Sequence, residues 1–187
     1  MFTLAITAIV ILGFIVIIHN GIINRYNRVK QAWSDVVATE RQKLNILPKL
    51  EELLQGHNVY EKSLLTEVTQ LRSALVKLSQ SDEVDTKLLS EVRDLSGKFS
   101  NGIKATFEAY PDLKASSLYS KLMSEIADQE ENVGASIRIY NSNVKAHNTG
   151  IEVFPNNLVN SKITKKQLVN EFSDSTASAS FEYKPNF

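Results

Sequence analysis

From Phe2 to Ile18 the chain carries no charged residue and nothing more polar than threonine. No other feature constrains the fold as strongly. As a helix, this run spans roughly 25 Å, and continuing through Ile22 and Ile23 brings it to about 33 Å, enough to cross a hydrocarbon core. Phe2, Leu4, Ile6, Ile9, Ile11, Phe14, Ile17 and Ile18 are the anchoring side chains. His19 and Asn20 follow on the headgroup side, where polar groups cost less. A cleaved signal peptide would begin with a basic residue, have a shorter apolar core and end on small residues at a cleavage site. No Lys or Arg precedes this run and no A-x-A follows it, so it reads as an uncleaved anchor. Arg25, Arg28 and Lys30 crowd its C-terminal side. The excess of cations there predicts an N-terminus outside and the rest of the chain in the cytoplasm.

Past the anchor, punctuation is sparse. Among 187 residues there are 7 Gly and 4 Pro, which favours long helices over a multi-stranded sheet. Tyr26, Val29, Trp33, Val36, Val37, Leu44 and Leu47 recur at helical spacing. Pro48 interrupts "NILPKLEELL" and is expected to bend or restart the helix. The stripe resumes from Leu50 to Leu78, so the first arm is read as running from 22 to 79 with a bend near 48.

The polar stretch "SQSDEVDT", residues 79–86, is read as the loop that reverses the chain. Leu88, Val92, Leu95, Phe99, Ile103, Phe107 and Tyr110 then define a second helix. In "FEAYPDLKA", Pro111 pushes Tyr110 out of the helical region and stops that helix. Tyr110 is expected to close one end of the core, and Asp112 or Ser116 to cap the next helix. This third helix is read from about 114 to 153, with a stripe from Tyr119 to Phe154, and is ended by Pro155 and two asparagines. The predicted fold is all-α: one transmembrane helix continuing into an antiparallel bundle of long helices. The predicted organisation is an anchor at 1–23, a cytoplasmic bundle at 24–157, and a tail at 158–187 that is flexible or locally docked. Leu158, Phe172, Phe181 and Phe187 are the candidates for docking it.

Lys+Arg and Asp+Glu both number 21, a neutral balance that argues against nucleic acid as a partner. Without cysteine, disulfides and thiolate chemistry are excluded. His19, His57 and His147 have no histidine partner at metal-ligand spacing, so no metal or other cofactor is expected. The acids at Glu51–Glu52, at Asp82, Glu83 and Asp85, and at Asp128, Glu130 and Glu131 read as solvated helix faces and a loop. Nucleotide-binding glycine motifs and a nucleophile elbow are missing, so no enzyme is indicated. Tyr26–Asn27 and Tyr140–Asn141, with Asn148, are read as residues that fix the register between helices.

In their order along the chain, "YNRVKQAWSDV", "NILPKLEELL", "FEAYPDLKA" and "YNSNVKAHNTGIEVFPNNLV" resemble the successive signatures of the bacterial LemA family. That resemblance runs from the anchor to about residue 160. It implies a single N-terminal membrane helix, a cytoplasmic helical bundle and no known enzymatic activity. It also implies structural roles for Tyr26, Asn27, Trp33, Pro48, Tyr110, Pro111, Tyr140, Asn141, Asn148, Phe154 and Pro155. This chain departs from the family pattern at Val37, Gln42, Ile137 and His147, where an acid, two arginines and a tyrosine are usual. From those losses, an internal charge network is expected to be absent. Two functions are open to such a chain. One is a scaffold in the bacterial inner membrane that self-associates and organises or remodels the bilayer. The other is an adaptor presenting a groove to a signalling protein or membrane protease.

Overall fold

The structure, a computed structural model, describes residues 1–56, 61–81, 83–111 and 117–173. It is all-α, with no strand among these residues. Helix α1 runs Phe2–Arg41, followed by a 3-10 turn at Gln42–Asn45. Next come α2 at Leu47–Gly56, α3 at Lys62–Ser79, α4 at Thr86–Ala109 and α5 at Ser117–Glu152. A short α6, Asn156–Val159, passes into a π-helical turn at Asn160–Thr164. The chain from 165 to 173 is irregular.

Two compact units divide the chain. The first joins Met1–Ser34 with Ile137–Glu171, and the second gathers Asp35–Ser136 and takes in Phe172. In the first unit, the N-terminal part of α1 and the C-terminal part of α5 pack antiparallel. Trp33 meets Tyr140 at 5.4 Å between ring centroids, and Tyr26 meets His147 at 5.4 Å. Ile22, Val29, Trp33, Tyr140, Val144 and Ile151 fill this core.

In the second unit, the connections set the order of packing. Arg72 of α3 lies 2.9 Å from Glu51 of α2, which requires α3 to fold back along α2. A single helix across that interval would hold those residues roughly 30 Å apart. The first arm is therefore not one bent rod to residue 79. It breaks at Gln42–Asn45, restarts at Leu47 with Pro48 in the first turn, where proline costs no hydrogen bond, and reverses after Gly56.

The reversal between α3 and α4 falls where the polar stretch places it. The Asp85 carboxylate accepts from the Leu88 amide at 2.9 Å and caps α4. Leu64, Val68, Leu71, Leu75 and Leu78 of α3 are buried, as are Leu89, Val92, Phe99, Ile103 and Phe107 of α4. Leu89 and Ser96 take the inward positions that the sequence pattern gives to Leu88 and Leu95, which are half-buried.

Tyr110 ends α4 with extended backbone, as the following proline requires. Its ring does not close the core, because 37% of it is exposed. Its hydroxyl instead donates to Glu61 at 3.2 Å, and that carboxylate pushes the phenol pKa up. Pro111 is exposed. Asp112 and Ser116 lie outside the described residues, as do Phe181 and Phe187.

Candidate functional site

Three groups of residues stand out from a simple packed bundle. The first is the apolar surface of α1. Phe2, Leu4, Ile6, Ile9, Ile11, Phe14 and Ile17 are each 48–80% exposed, and Ile18 is half-buried. Helix α1 is long and apolar enough to cross a membrane. Exposed apolar surface on this scale is unfavourable in water and marks contact with lipid or another protein. The three cations assigned to topology follow on α1, each exposed. Arg25 also lies across Gly150 of α5. A Cβ there would meet Arg25 Nη1 at 2.5 Å and Cδ at 2.9 Å, so the missing side chain is what lets the arginine pass.

The second group is a strap. After α5, the chain turns through α6 and the π-helical turn, and residues 166–170 run back along α5. They are held by side chains rather than by a strand. Asn148 Nδ2 donates to the Val169 carbonyl at 2.9 Å, and the Val169 amide donates back to Asn148 Oδ1 at 3.0 Å. Asn160 makes the same two-way pair with Lys166, at 3.0 and 2.9 Å. His147 Nε2 lies 3.1 Å from the Gln167 carbonyl, and the Tyr140 hydroxyl donates to the Asn170 carbonyl at 2.8 Å. The carbonyl requires the imidazole to carry its proton on Nε2. Its Nδ1 is then buried with no partner among the described residues. Burial, with the Glu171 carboxylate adding to it, pushes the Tyr140 phenol up to about 12. The Lys166 ammonium sits 4.0 Å from the centre of the Tyr26 ring, and Lys30 lies 5.5 Å from it.

This geometry gives Asn148 a bonding role of its own. Its amide is spent on the backbone of Val169 and holds the returning strap to α5. Tyr26 and Tyr140 do join α1 to α5 through their ring contacts with His147 and Trp33. Asn27 is exposed, and Asn141 is half-buried with an interaction of its own. Asn156 donates to the Gly150 carbonyl at 2.8 Å, satisfying the end of α5. Phe154 and Pro155 are exposed at that end.

The third group, in the second unit, is a buried charge network, contrary to the expectation that one is missing. Glu40 is fully buried. Lys43 Nζ reaches Glu40 and Glu130 at 2.8 Å each and donates to Ser96 Oγ at 2.9 Å. Its contact with Glu40 is an ion pair alone, since neither carboxylate oxygen of Glu40 has a hydrogen-bond partner among the described residues. Arg93 pairs with Glu130 and lies 3.9 Å from Glu40. Gln129 Nε2 donates to the Thr39 carbonyl beside it, at 2.5 Å. Burial works against the Glu130 carboxylate, but Lys43 and Arg93 outweigh it and hold its pKa below the usual value. Two acids and two bases balance one another, so the cluster acts as an internal lock. The departures at Val37 and Gln42 leave it intact because neither residue belongs to it: Val37 is half-buried and Gln42 exposed.

No cluster of three or more acids or histidines able to hold a metal occurs among the described residues. Sequence reasoning missed the lock although a signal was present. Glu40 and Lys43 interrupt an apolar stripe as an opposite-charge pair at i,i+3.

The LemA family model matches residues 32–182. The chain belongs to the LemA family. A protein of Metamycoplasma hominis named Protein LemA is 32% identical over 144 residues, which is 77% of this chain and 64% of that protein. The matched interval begins beside Trp33 and takes in the charge lock, the Tyr140–Asn148 cluster and the strap.

Proposed function

We propose that this LemA-family chain is a non-enzymatic, membrane-anchored helical scaffold that self-associates and organises the bilayer. One observation carries the reading. Helix α1 is continuous for 40 residues, from an exposed apolar surface to the edge of the charge lock, with no linker. Its residues up to Ser34 share a compact unit with the end of α5 from Ile137 and with the strap. Joined in this way, the anchor and the part of the chain that shares its unit move as one, so copies packed side by side would impose their arrangement on the bilayer. The lipid bilayer and further copies of the chain are the partners this reading names. The N-terminus faces out, with Arg25, Arg28 and Lys30 on the cytoplasmic side of a bacterial inner membrane.

Native mass measurement on the full-length protein, in detergent and then in lipid nanodiscs, tests the proposal. The expected result is a discrete multiple of 20.9 kDa. A single copy in both media overturns self-association and favours the adaptor reading.

A further inference from the structure

The segment that leads into the strap sits at an unexpected level on α1. Val10, Phe14 and Ile18 form one wall of an open apolar groove, and Pro155, Leu158 and Ile163 form the other. His19 Nδ1 lies 3.1 Å from Thr164 Oγ1 and closes the groove at its upper end. From His19 down to Val10 is roughly 13 Å along the helix. Residues 155–163 therefore lie beside the C-terminal half of the apolar run, not above it. A run of roughly 25 Å barely fills a hydrocarbon core of ~30 Å, so a spanning α1 cannot keep Val10–Ile18 out of it. The segment packed beside those residues must enter to the same depth.

Its chemistry fits that depth. Phe154 is 78% exposed, Leu158 57% and Ile163 51%. The polar side chains beside them find partners within the chain, with Asn156 and Asn160 half-buried and Asn157 and Ser161 at the surface. Asn156 bonds Gly150, Asn160 bonds Lys166, Ser161 bonds Leu158, and Asn157 bonds the Leu158 amide. The backbone bonds itself as well, from Asn157 to Val153 at 3.0 Å and from Lys165 to Asn160 at 2.7 Å. A segment in water does not need such closure, whereas one in hydrocarbon does. Lys162 is the one formal charge between Val153 and Thr164, on a stem long enough to reach the headgroups. Lys165 and Lys166 follow it, and Lys166 sits over Tyr26, seven residues above His19 on α1. That is the level of Arg25 and Arg28, where anionic headgroups would lie.

We propose that residues 153–164 are a second membrane-inserted element, a half-depth wedge whose Phe154, Leu158 and Ile163 contact lipid acyl chains in the cytoplasmic leaflet. This rests on the reading of α1 as an anchor. It extends that reading, because a wedge in one leaflet gives each copy unequal cross-sections in the two leaflets.

The test uses full-length protein, whose natural sequence has no cysteine. Single variants I11C, L158C and I139C carry an environment-sensitive fluorophore in phosphatidylcholine–phosphatidylglycerol vesicles. Quenching is compared for lipids with a mid-chain doxyl group and for aqueous iodide. The 158 label is expected to lose as much fluorescence to the doxyl lipid as the 11 label and to resist iodide. The 139 label, on an exposed position of α5, should show the reverse. If 11 is quenched by doxyl lipid and 158 by iodide, the wedge is wrong and the anchor stands. If 11 is itself quenched by iodide, the anchor reading fails and the wedge fails with it.

Discussion

The side-chain amide of Asn148 pairs in both directions with the backbone of Val169, donating at 2.9 Å and accepting at 3.0 Å. It thereby copies the two-way pairing of an antiparallel ladder. One helix residue thus fixes the register of the whole strap, and Asn160 repeats the device at Lys166. Asn148→Ala removes two hydrogen bonds and leaves two backbone groups without partners. The expected cost is about 1–3 kcal/mol. Amide exchange should accelerate at Val169 and its neighbours while α3 and α4 keep their protection. Unchanged exchange at Val169 would show that the strap is held by its other contacts.

Trp33 is 4% exposed and packs its ring on Tyr140. Trp33→Ala should cost about 3–5 kcal/mol in equilibrium unfolding, as expected for a large buried ring with little room to collapse. Trp33→Phe should cost clearly less, because its indole Nε1 has no partner among the described residues to lose. Equal losses for the two variants would contradict this packing role.

Much of this architecture is legible in the sequence because helical burial is periodic. The α4 stripe, the polar loop before Asp85 and the stop at Tyr110–Pro111 are dictated by spacing and turn chemistry. The reversal after Gly56 is not legible in the same way. Leu53 and Leu54 on one side and Leu64 and Val68 on the other stay in helical phase across it. Periodicity therefore reads straight through a reversal that the Glu51–Arg72 contact reveals. The strap is hidden for a different reason: "KKQLVN" has no strand alternation, and its partners are side chains of α5. The available signal was Tyr140, His147 and Asn148 among the apolar positions of α5. Buried polar groups need partners, and the sequence does not say which.

Orientation is set by the cations after the apolar run. Ser81→Cys, placed in the α3–α4 connection, is expected to resist an impermeant maleimide on intact cells and to react once the membrane is opened. Ready labelling on intact cells would reverse the topology and place the bundle outside.

The charge lock makes a prediction about both substitution and pH. Lys43→Met removes the cation that serves Glu40, Glu130 and Ser96 at once. Glu40 is fully buried and would retain only Arg93 at 3.9 Å. Stranding a buried carboxylate in this way is expected to cost about 3–5 kcal/mol. Replacing Glu40 and Lys43 together with apolar residues should recover most of that loss, because the desolvated charge leaves with its partner. The pH dependence arises from Glu130. Its pKa in the folded state lies below the carboxylate value of 4.5, so the folded state binds fewer protons than the unfolded one around that pH. Its contribution is fully present above 4.5 and fades as the pH falls through the lower folded-state value. Glu130→Gln should flatten the stability curve in that acid window and leave its slope near neutrality unchanged. Denaturant titrations at matched salt between neutral and acid pH provide the measurement. A Glu130→Gln protein whose acid-side slope equals that of the parent would show that other carboxylates, not this network, carry the acid sensitivity.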